Sequence, residues 1–417
     1  MQAEPLLRAL FDRAVAVADP MRALAAHLPS RPAGRVVVIG AGKASARMAE
    51  AVEAQWGPCE GLVITRYGYA RPCRGVEIVE AAHPVPDAAG QAATARMLDL
   101  VADLGPGDFA LALISGGASA LLVAPVAGVS LAEKQAVSAA LLASGAPIGQ
   151  MNLLRKHLSR VKGGQLAAAA YPARMLALLI SDVPGDDPAS IGSGPTVGDA
   201  TTPCEARAVV SHWRLELPAS VTAALQRGSG VVPPGDPRLS RVETRIIAAP
   251  AQSLAAAAAM AQAHGIEVRL LGSALEGEAR AVAAGQAAQA RAIAREPGTA
   301  PVLLLSGGEV TVTRRGDGVG GPNAEFCLAL ALVLDGAPGI HALACDTDGV
   351  DGAAEVAGAV VTPTTLTRAL AAGVDAGLAL AHNDAHSFFA AIGDQVVTGP
   401  TLTNVNDFRA ILIERRP

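Results

Sequence analysis

The sequence predicts an α/β protein of two domains, each a largely parallel sheet with helices on both faces. Short apolar, β-branched runs alternate with segments of helical period along the chain. The 417 residues are too many for one ordinary hydrophobic core. A dense cluster of Gly and Pro at 228–237 separates two blocks of this alternation. We therefore place an N-terminal, Rossmann-like domain at 1–235 and a C-terminal α/β domain at 238–417.

The first block supplies strands and helices in turn. In the run 35–39, Arg35 precedes four apolar, β-branched residues, and Gly40 follows, which is typical of a buried strand. On the same grounds further strands are expected at 61–65, 76–79, 109–114 and 175–180. Helical spacing predicts helices at 43–55, 91–104 and 130–143. Such βαβ alternation indicates a parallel sheet with ligands bound beyond the carboxyl ends of its strands.

The second block repeats the pattern. Strands are expected at 244–248, 267–271, 302–305 and 340–344, with an edge strand at 310–313. Helices are expected at 251–264 and 276–295. The final strand, 409–413, is compatible with either domain.

Composition excludes several classes of protein. Hydrophobic residues make up 51% and charged residues 17%, which excludes disorder. A net charge of −5 offers no basic surplus for nucleic acid. The longest apolar run is far shorter than the roughly 20 residues of a membrane-spanning helix. Five scattered cysteines without a CxxC pair predict neither a disulfide framework nor a zinc site. A cytoplasmic protein is expected.

The first candidate motif follows the first strand, where Gly40, Gly42 and Lys43 open a predicted helix. Glycines let backbone amides approach an anion, and a helix N-terminus favours negative charge. The alternative is a tight turn that needs small residues. We favour a phosphate site because a turn has no need of Lys43, one of only four lysines in the chain.

Two more motifs favour anions. Ser115, Gly116, Gly117 and Ser119 follow another strand, where successive amides and hydroxyls predict a phosphate nest, or a second tight turn. The run 151–164 concentrates positive charge in an acidic protein and ends in two glycines. We favour anion binding there over a solvated helix face. Its basic candidates are Arg155, Lys156 and Lys162.

Carboxylates also stand at predicted strand ends. Asp182 directly follows the strand 175–180, where it suits a general base or a Mg²⁺ ligand. Asp346, Asp348 and Asp351 follow a later strand and are further metal candidates. His83, a lone histidine before a proline, is interpreted as structural.

These strings, in order over nearly the whole chain, resemble the glycerate 2-kinases of the MOFRL-domain type. The matching strings are those around Lys43, 82–87, 115–121, 151–164, 181–186, 306–309, 347–352 and 403–407. The resemblance implies a two-domain α/β protein with its active-site cleft between the domains and a MOFRL-type domain at 238–417. It implies ATP-dependent phosphorylation of D-glycerate at the 2-hydroxyl, giving 2-phosphoglycerate. Members of the family often carry the label hydroxypyruvate reductase.

The roles expected under that resemblance follow general phosphoryl-transfer chemistry. Lys43 meets the developing charge, and Asp182 accepts the hydroxyl proton or holds Mg²⁺. The nucleotide phosphates are assigned to the following residues: Gly40, Gly42, Ser115, Gly116, Gly117, Ser119, Lys156 and Lys162. The substrate is assigned to Arg155, Asn323 and Glu325. One departure is Pro322, which stands where the family often has Arg and puts one anion contact in doubt, with Arg314 or Arg315 as substitutes.

Two other functions stay open at this level. An NAD(P)-dependent hydroxypyruvate reductase would use 40–45 for a pyrophosphate and Arg66 for a 2′-phosphate. A non-catalytic phosphosugar sensor would bind its ligand without consuming ATP. The expected partner is a small hydroxy acid, with no nucleic acid and no membrane, and the sequence leaves a homo-oligomer open.

Overall fold

The computed structural model describes residues 2–352 and 354–415 and divides into two compact units. The N-terminal unit comprises residues 20–182 and 186–247. The C-terminal unit comprises the chain up to residue 19, residues 183–185 and the chain from residue 248 onward. This division differs from the predicted one at both ends of the N-terminal domain.

The N-terminal unit alternates strands and helices as predicted. Its strands are β1 (Val36–Ala41), β2 (Glu60–Arg66), β3 (Val76–Ala81), β4 (Phe109–Ile114), β5 (Arg174–Ile180) and β6 (Val242–Ala248). Its helices, numbered after α1 (Ala3–Ala18) of the other unit, are α2 (Pro20–Ala23), α3 (Ser45–Trp56), α4 (Ala88–Ala102), α5 (Ala118–Leu121), α6 (Leu131–Ser144), α7 (Ile148–His157), α8 (Gln165–Ala169), α9 (Pro203–His212) and α10 (Ala219–Arg227). Short 3₁₀ turns lie at Leu24–Ala26, Ile191–Ser193 and Pro237–Leu239, and a fourth, Pro184–Asp186, begins in the segment 183–185 of the C-terminal unit.

The first sheet has the strand order β3-β2-β1-β4-β5-β6. The pairs β1–β2, β1–β4, β2–β3 and β4–β5 are parallel. Every residue of β1 and β4 is buried, as expected for central strands covered on both faces. The predicted parallel α/β sheet is confirmed here. Its edge strand β6 is the predicted strand 244–248, which the sequence placed in the C-terminal domain, and that placement is corrected.

The C-terminal unit contains a second sheet of six strands and a separate two-stranded pair. Its strands are β7 (Glu267–Gly272), β8 (Gly277–Glu278), β9 (Val302–Gly307), β10 (Val310–Thr311), β11 (Ile340–Asp346), β12 (Gly358–Val361), β13 (Gln395–Val396) and β14 (Asp407–Ile413). Besides α1, its helices are α11 (Pro250–Ala263), α12 (Ala279–Ile293), α13 (Pro322–Leu334), α14 (Thr365–Ala371), α15 (Ala376–Ala381) and α16 (Ala385–Ile392).

The second sheet corrects the expectation that both sheets are largely parallel. Its order is β13-β12-β11-β14-β9-β7, and only β7–β9 is parallel. The last strand, β14, inserts between β9 and β11 and runs antiparallel to both. A strand that arrives from the end of the chain is free of the crossover geometry that makes βαβ neighbours parallel. The predicted strand 409–413 therefore belongs to the C-terminal unit.

The first helix also belongs to the C-terminal unit and not to the N-terminal domain, where the sequence placed it. Its apolar residues Leu7, Leu10 and Phe11 are buried in one core with residues of α11 and of the sheet. The rings of Phe11 and Phe408 lie 5.9 Å apart. Burial of this apolar stripe decides the assignment, because the residues that it packs against belong to the C-terminal unit.

The Gly/Pro cluster at 228–237 is not the boundary. It lies inside the N-terminal unit, which continues to residue 247. Val232 donates its amide to Gly163 O at 2.9 Å, and the Asp199 amide donates to Val232 O at 2.8 Å. These bonds hold the cluster against two other loops, so its turn residues shape a packed segment and not a linker.

Among the described residues, no helix is both long and apolar enough to cross a membrane.

Candidate functional site

The most informative place in the N-terminal unit lies beyond the carboxyl ends of β1 and β4. These strands are parallel neighbours, with β2 and β3 on one side and β5 on the other, so the direction of strand addition reverses between them. Open α/β sheets bind ligands at such a reversal. The loop after β1 and the loop after β4 meet there, because the Lys43 amide donates to Gly116 O at 2.8 Å.

The loop after β1 is tied to its neighbours through its amides. The Gly42 amide donates to Ile64 O at 3.1 Å, and the Ala44 amide donates to the Ser115 hydroxyl at 3.0 Å. A Cβ on Gly42 would lie 2.1 Å from Ser115 Oγ, and one on Gly40 would lie 2.4 Å from Leu113 O. The predicted phosphate role of Gly40 and Gly42 is therefore corrected. Both glycines are required because the loop approaches the backbone that follows β4.

Ser115 is also structural. Its side chain is buried, and its hydroxyl accepts from Ala44 and lies 3.3 Å from Ser45 Oγ. Ser115 is 71 residues from Ala44 in the chain, yet its hydroxyl accepts the amide at the start of α3 and so caps that helix. Because the hydroxyl already makes this bond, Ser115 is not a phosphate ligand. The predicted role of Ser115 in phosphate binding is corrected accordingly.

The rest of the second motif remains a candidate anion site. The amides of Gly116, Gly117 and Ser119 donate to no other residue in the part of the chain that the structure describes. Gly117 has φ +83° and precedes α5 in the left-handed region that favours glycine. Three backbone N–H groups that donate to no protein acceptor, at a junction between a strand and a helix, are the donors that a phosphate nest supplies.

Two side chains flank Gly117. A Cβ built on this glycine would lie 3.2 Å from Cδ2 of His83, 3.3 Å from its Nε2 and 3.3 Å from Cγ of Lys43. Lys43 is half-buried. An ammonium stem and an imidazole therefore border the loop that offers free amides. Sequence reasoning interpreted His83 as structural, and only the fold brings it to Lys43, because 40 residues of chain separate them.

The basic run 151–164 does not act as one anion site. Lys156 is buried and forms an ion pair with Asp199. Burial alone would raise the pKa of Asp199, yet the Lys156 ammonium and hydrogen bonds from Thr201 hold it below its ordinary value. The predicted phosphate role of Lys156 is corrected, because its ammonium is paired with a buried carboxylate and separating a buried ion pair is strongly destabilising.

Lys162 is corrected for a different reason. It is fully buried, and its ammonium donates to Ser119 O at 2.9 Å and Leu122 O at 3.0 Å. These carbonyls lie at and just beyond α5, so the lysine satisfies groups that a helix end leaves unpaired. Lys134 does the same for Leu158 O, after α7, at 3.0 Å. Burial lowers the pKa of Lys134 to about 7, with the Arg155 charge adding to the effect.

Arg155 remains a candidate ligand in this run, whose other accessible cation is the exposed Arg160. The Arg155 guanidinium is half-buried and donates to Asn152 Oδ1 at 3.2 Å. Burial lowers the pKa of Arg155, and no carboxylate contributes in the other direction. Asp182, two residues beyond β5, is half-buried and stays a candidate base.

In the C-terminal unit, Asn323 and Glu325 are buried at the start of α13. The Asn323 side chain donates to Asp407 Oδ1 at 2.7 Å, while Glu325 accepts from Arg280 at 2.7 Å and from Asn383 at 2.9 Å. Their predicted role as substrate ligands is corrected, because both side chains hold segments of this unit together. The polar network could not be found in the sequence, since hydrogen-bonded partners in it lie up to 84 residues apart.

The predicted metal ligands do not assemble. Asp351 caps α13 by accepting from the Asn323 and Ala324 amides at 2.9 and 2.8 Å. Asp348 is buried and accepts from the Val350 amide at 2.8 Å. Among the described residues, no group of three or more His, Cys, Asp or Glu side chains is placed to hold a metal ion. A resident Mg²⁺ cage built from Asp346, Asp348 and Asp351 therefore does not fit this arrangement, and Asp346 is the half-buried member of the three.

A buried His–Asp contact accompanies that cap. His386 is 2% exposed, and its Nε2 lies 3.2 Å from Asp351 Oδ2. Burial lowers the pKa of His386, but its hydrogen bond to Asp351 and the charge of that carboxylate raise it overall. Asp407 lies in the same network, where burial raises its pKa although Arg409 acts against the shift. These groups stabilise the start of α13 from within the unit.

Comparison with family models finds two matches. Residues 6–226 match the model described as "Domain of unknown function (DUF4147)", and residues 302–407 match the MOFRL family.

Known proteins resemble the chain over nearly its full length. A protein of Agrobacterium vitis, provisionally named a hydroxypyruvate reductase, is 51% identical over 99% of this chain and 95% of its own. The D-glycerate 2-kinase of Thermotoga maritima is 36% identical over 95% of each chain. The crystal structure of a glycerate kinase from Thermotoga maritima matches with a TM-score of 0.86 at 35% identity, covering 98% of this chain and 99% of that one.

Proposed function

The chain belongs to the DUF4147/MOFRL family, which includes the D-glycerate 2-kinases, and on this basis we propose that it transfers the γ-phosphoryl group of ATP to the 2-hydroxyl of D-glycerate. The products are 2-phosphoglycerate and ADP. The reaction forms one O–P bond at the acceptor hydroxyl and breaks one at ADP, and the hydroxyl proton leaves with a base.

One observation carries this proposal. Beyond β1 and β4, Lys43 and His83 flank Gly117 in the loop whose amides remain unspent. A transferring phosphoryl group spreads negative charge over its oxygens, and catalysis is mostly positioning and electrostatic stabilisation. An ammonium beside open backbone donors is suited to that task.

The chain's own residues take the following roles in the proposal. The amides of Gly116, Gly117 and Ser119 bind phosphate oxygens, and Lys43 stabilises the charge that develops in the transition state. Asp182, at the end of the neighbouring strand β5, accepts the hydroxyl proton. His83 orients the acceptor or donates a hydrogen bond to a phosphate oxygen.

Mg²⁺ is proposed to arrive with the nucleotide. Mg²⁺ is commonly held by one or two carboxylates together with substrate phosphates, so it does not need a cage of protein ligands. Of the predicted ligands, Asp182 and Asp346 keep partial exposure at strand ends. Activity should require a divalent cation, and full activity in excess EDTA would contradict this part of the proposal.

The reductase alternative draws support from the strand order β3-β2-β1-β4-β5-β6, which is typical of dinucleotide-binding folds. In such folds the amides after the first strand bind a pyrophosphate. Here the amides of Gly42, Lys43 and Ala44 all donate within the protein. The kinase is therefore favoured over the reductase.

A product assay distinguishes the functions. The protein is incubated with ATP, Mg²⁺ and D-glycerate, and 2- and 3-phosphoglycerate are separated by chromatography. The kinase predicts ADP and 2-phosphoglycerate in equal amounts. A parallel sample with hydroxypyruvate and NADPH or NADH, without ATP, is followed by nicotinamide absorbance. Oxidation of the nicotinamide without phosphorylation would establish the reductase instead, and ligand binding without either reaction would favour the sensor.

The cellular setting is proposed from the thiols. All five cysteines are free, and Cys204 is exposed, as expected in a reducing compartment such as the cytoplasm.

A further inference from the structure

Four polar side chains form a continuous chain beside the Gly117 loop. Ser119, on α5, lies 2.8 Å from the Ser193 hydroxyl. Ser193 donates to Asn152 Oδ1 at 3.4 Å, and Arg155 donates to the same oxygen at 3.2 Å. Ser119 is two residues from Gly117, so this polar chain leads away from the proposed site of phosphoryl transfer.

The orientation of the Asn152 amide follows from these bonds. Its oxygen accepts from both Arg155 and Ser193, so its NH₂ group faces elsewhere. Within the described residues, this NH₂ group and the remaining N–H groups of the Arg155 guanidinium donate to no acceptor. Asn152 and Arg155 are only half-buried, which leaves these donors within reach of a small molecule.

Among the residues that the structure describes, no carboxylate pairs with Arg155. Burial lowers the pKa of Lys134 to about 7 and the pKa of Lys162 well below its ordinary value, and the Arg155 charge acts in the same direction on both. The amines of both lysines are spent on main-chain carbonyls. Buried arginines are usually paired, so the half-buried guanidinium of Arg155 favours an anionic guest.

Ser193 is held in an unusual backbone conformation. Its φ is +64°, and its neighbours Gly192 and Gly194 have φ of +60° and +61°. A non-glycine residue costs free energy in this region, and such residues tend to concentrate at functional sites. Here the conformation places a fully buried hydroxyl between Ser119 and Asn152.

We propose that Arg155 and the NH₂ group of Asn152 bind the carboxylate of the hydroxy-acid substrate, and that Ser193 is the positioning residue that fixes the Asn152 amide. The inference rests on the proposed function and names the part of the site that selects its acceptor. A guanidinium beside an amide NH₂ presents a row of donors suited to the two oxygens of a carboxylate. The phosphates keep the separate donors of the Gly116–Ser119 loop.

The first test pairs a change in the substrate with a change in the protein. Binding of D-glycerate and of its neutral amide, D-glyceramide, is measured by calorimetry without ATP. Wild type should prefer glycerate by about 10- to 100-fold, the effect of hydrogen bonds to a charged group. Arg155→Met should remove most of that preference and leave the KM for ATP unchanged. A preference that persists in Arg155→Met, or a raised KM for ATP alone, would overturn the assignment.

Asn152→Asp gives a second, independent arm. The aspartate keeps the oxygen that accepts from Ser193 and Arg155, but it replaces the NH₂ donor with a negative charge. It should pair with Arg155, raise the melting temperature and abolish glycerate binding. Unchanged glycerate affinity in a folded Asn152→Asp protein would overturn the proposal.

Ser193→Gly tests the positioning role. Glycine relieves the left-handed strain, so the melting temperature should hold or rise, while the KM for glycerate rises about tenfold with kcat little changed. Ser190→Gly is the matched control, because it removes a hydroxyl that donates to Asp187 in the same segment. An unchanged KM for glycerate in Ser193→Gly would overturn its positioning role.

These arms separate the carboxylate site from the kinase. Binding of D-glycerate that depends on Arg155, without any phosphorylation by wild type, would refute the kinase and support the carboxylate site. Phosphorylation of D-glycerate by wild type, with glycerate affinity independent of Arg155 and Asn152, would refute the carboxylate site alone.

Discussion

Replacing Gly117 with alanine adds one methyl group at the point where Lys43 and His83 meet. The new Cβ would lie 3.2–3.3 Å from the imidazole and 3.3 Å from Lys43 Cγ, so both side chains must move by a few tenths of an ångström. At φ +83° the alanine also pays the backbone cost of the left-handed region, about 1–2 kcal/mol.

Gly145→Ala separates these two effects. Gly145 ends α6 with φ +75°, and a Cβ there would meet nothing within 4 Å. Both variants should lose similar stability, a few degrees in melting temperature. Only Gly117→Ala displaces groups at the proposed reaction site.

Steady-state assays with ATP and D-glycerate provide the measurement. Because a misplacement of 1 Å can cost about 10²-fold, we expect kcat/KM to fall at least about tenfold in Gly117→Ala and to stay within twofold in Gly145→Ala. Wild-type kcat/KM in a folded Gly117→Ala protein would refute the argument that Lys43 and His83 act at this loop.

Three further variants test other residues. Lys43→Met should lower kcat by about 10²- to 10⁴-fold with an unchanged or slightly higher melting temperature, and wild-type kcat would remove Lys43 from the mechanism. Lys156→Met should lower the free energy of unfolding, measured by chemical denaturation, by about 3–5 kcal/mol, because it leaves Asp199 buried without its partner. The KM for ATP of the folded protein should stay constant. A raised KM for ATP without loss of stability would restore the phosphate role of Lys156. Glu53 accepts from the amides of Cys59, Arg74, Gly75 and Val76, and although burial acts against them, these bonds hold its pKa below the ordinary value. The stabilisation from ionised Glu53 is therefore fully present above the unfolded pKa of about 4.3 and is lost as the pH falls through the lower folded pKa. Glu53→Gln should lower the free energy of unfolding by about 1–3 kcal/mol at pH 7 and by less in acid. An equal loss of stability at both pH values would contradict this linkage.

Local pattern was sufficient for five strands of the first sheet, whereas the sixth, β6, was predicted as a strand but placed in the C-terminal domain. The predicted strands at 35–39 and 109–114 correspond to β1 and β4, because strands buried on both faces require continuous apolar runs that are visible in the sequence. The same reasoning located the loops after them, since parallel strands present their carboxyl ends at one edge of a sheet. The second sheet was less predictable, because an apolar run such as 409–413 does not specify the direction or the neighbours of its strand.

For the side chains, as for the strands, the sequence indicated positions in the chain but not the partners that folding brings together. The sequence by itself determined which loops are candidates for the site: Lys43, Gly117, Ser119 and Arg155 stand at strand and helix ends in patterns that residue type and spacing reveal. Only the tertiary structure decided which of the cations and carboxylates remain available to a ligand. Lys162 and Lys156 look alike in the sequence, yet one donates to carbonyls near α5 and the other pairs with Asp199, 43 residues away. A charged group is spent or free according to the partners that folding brings to it, and those partners lie at sequence separations that no local pattern encodes.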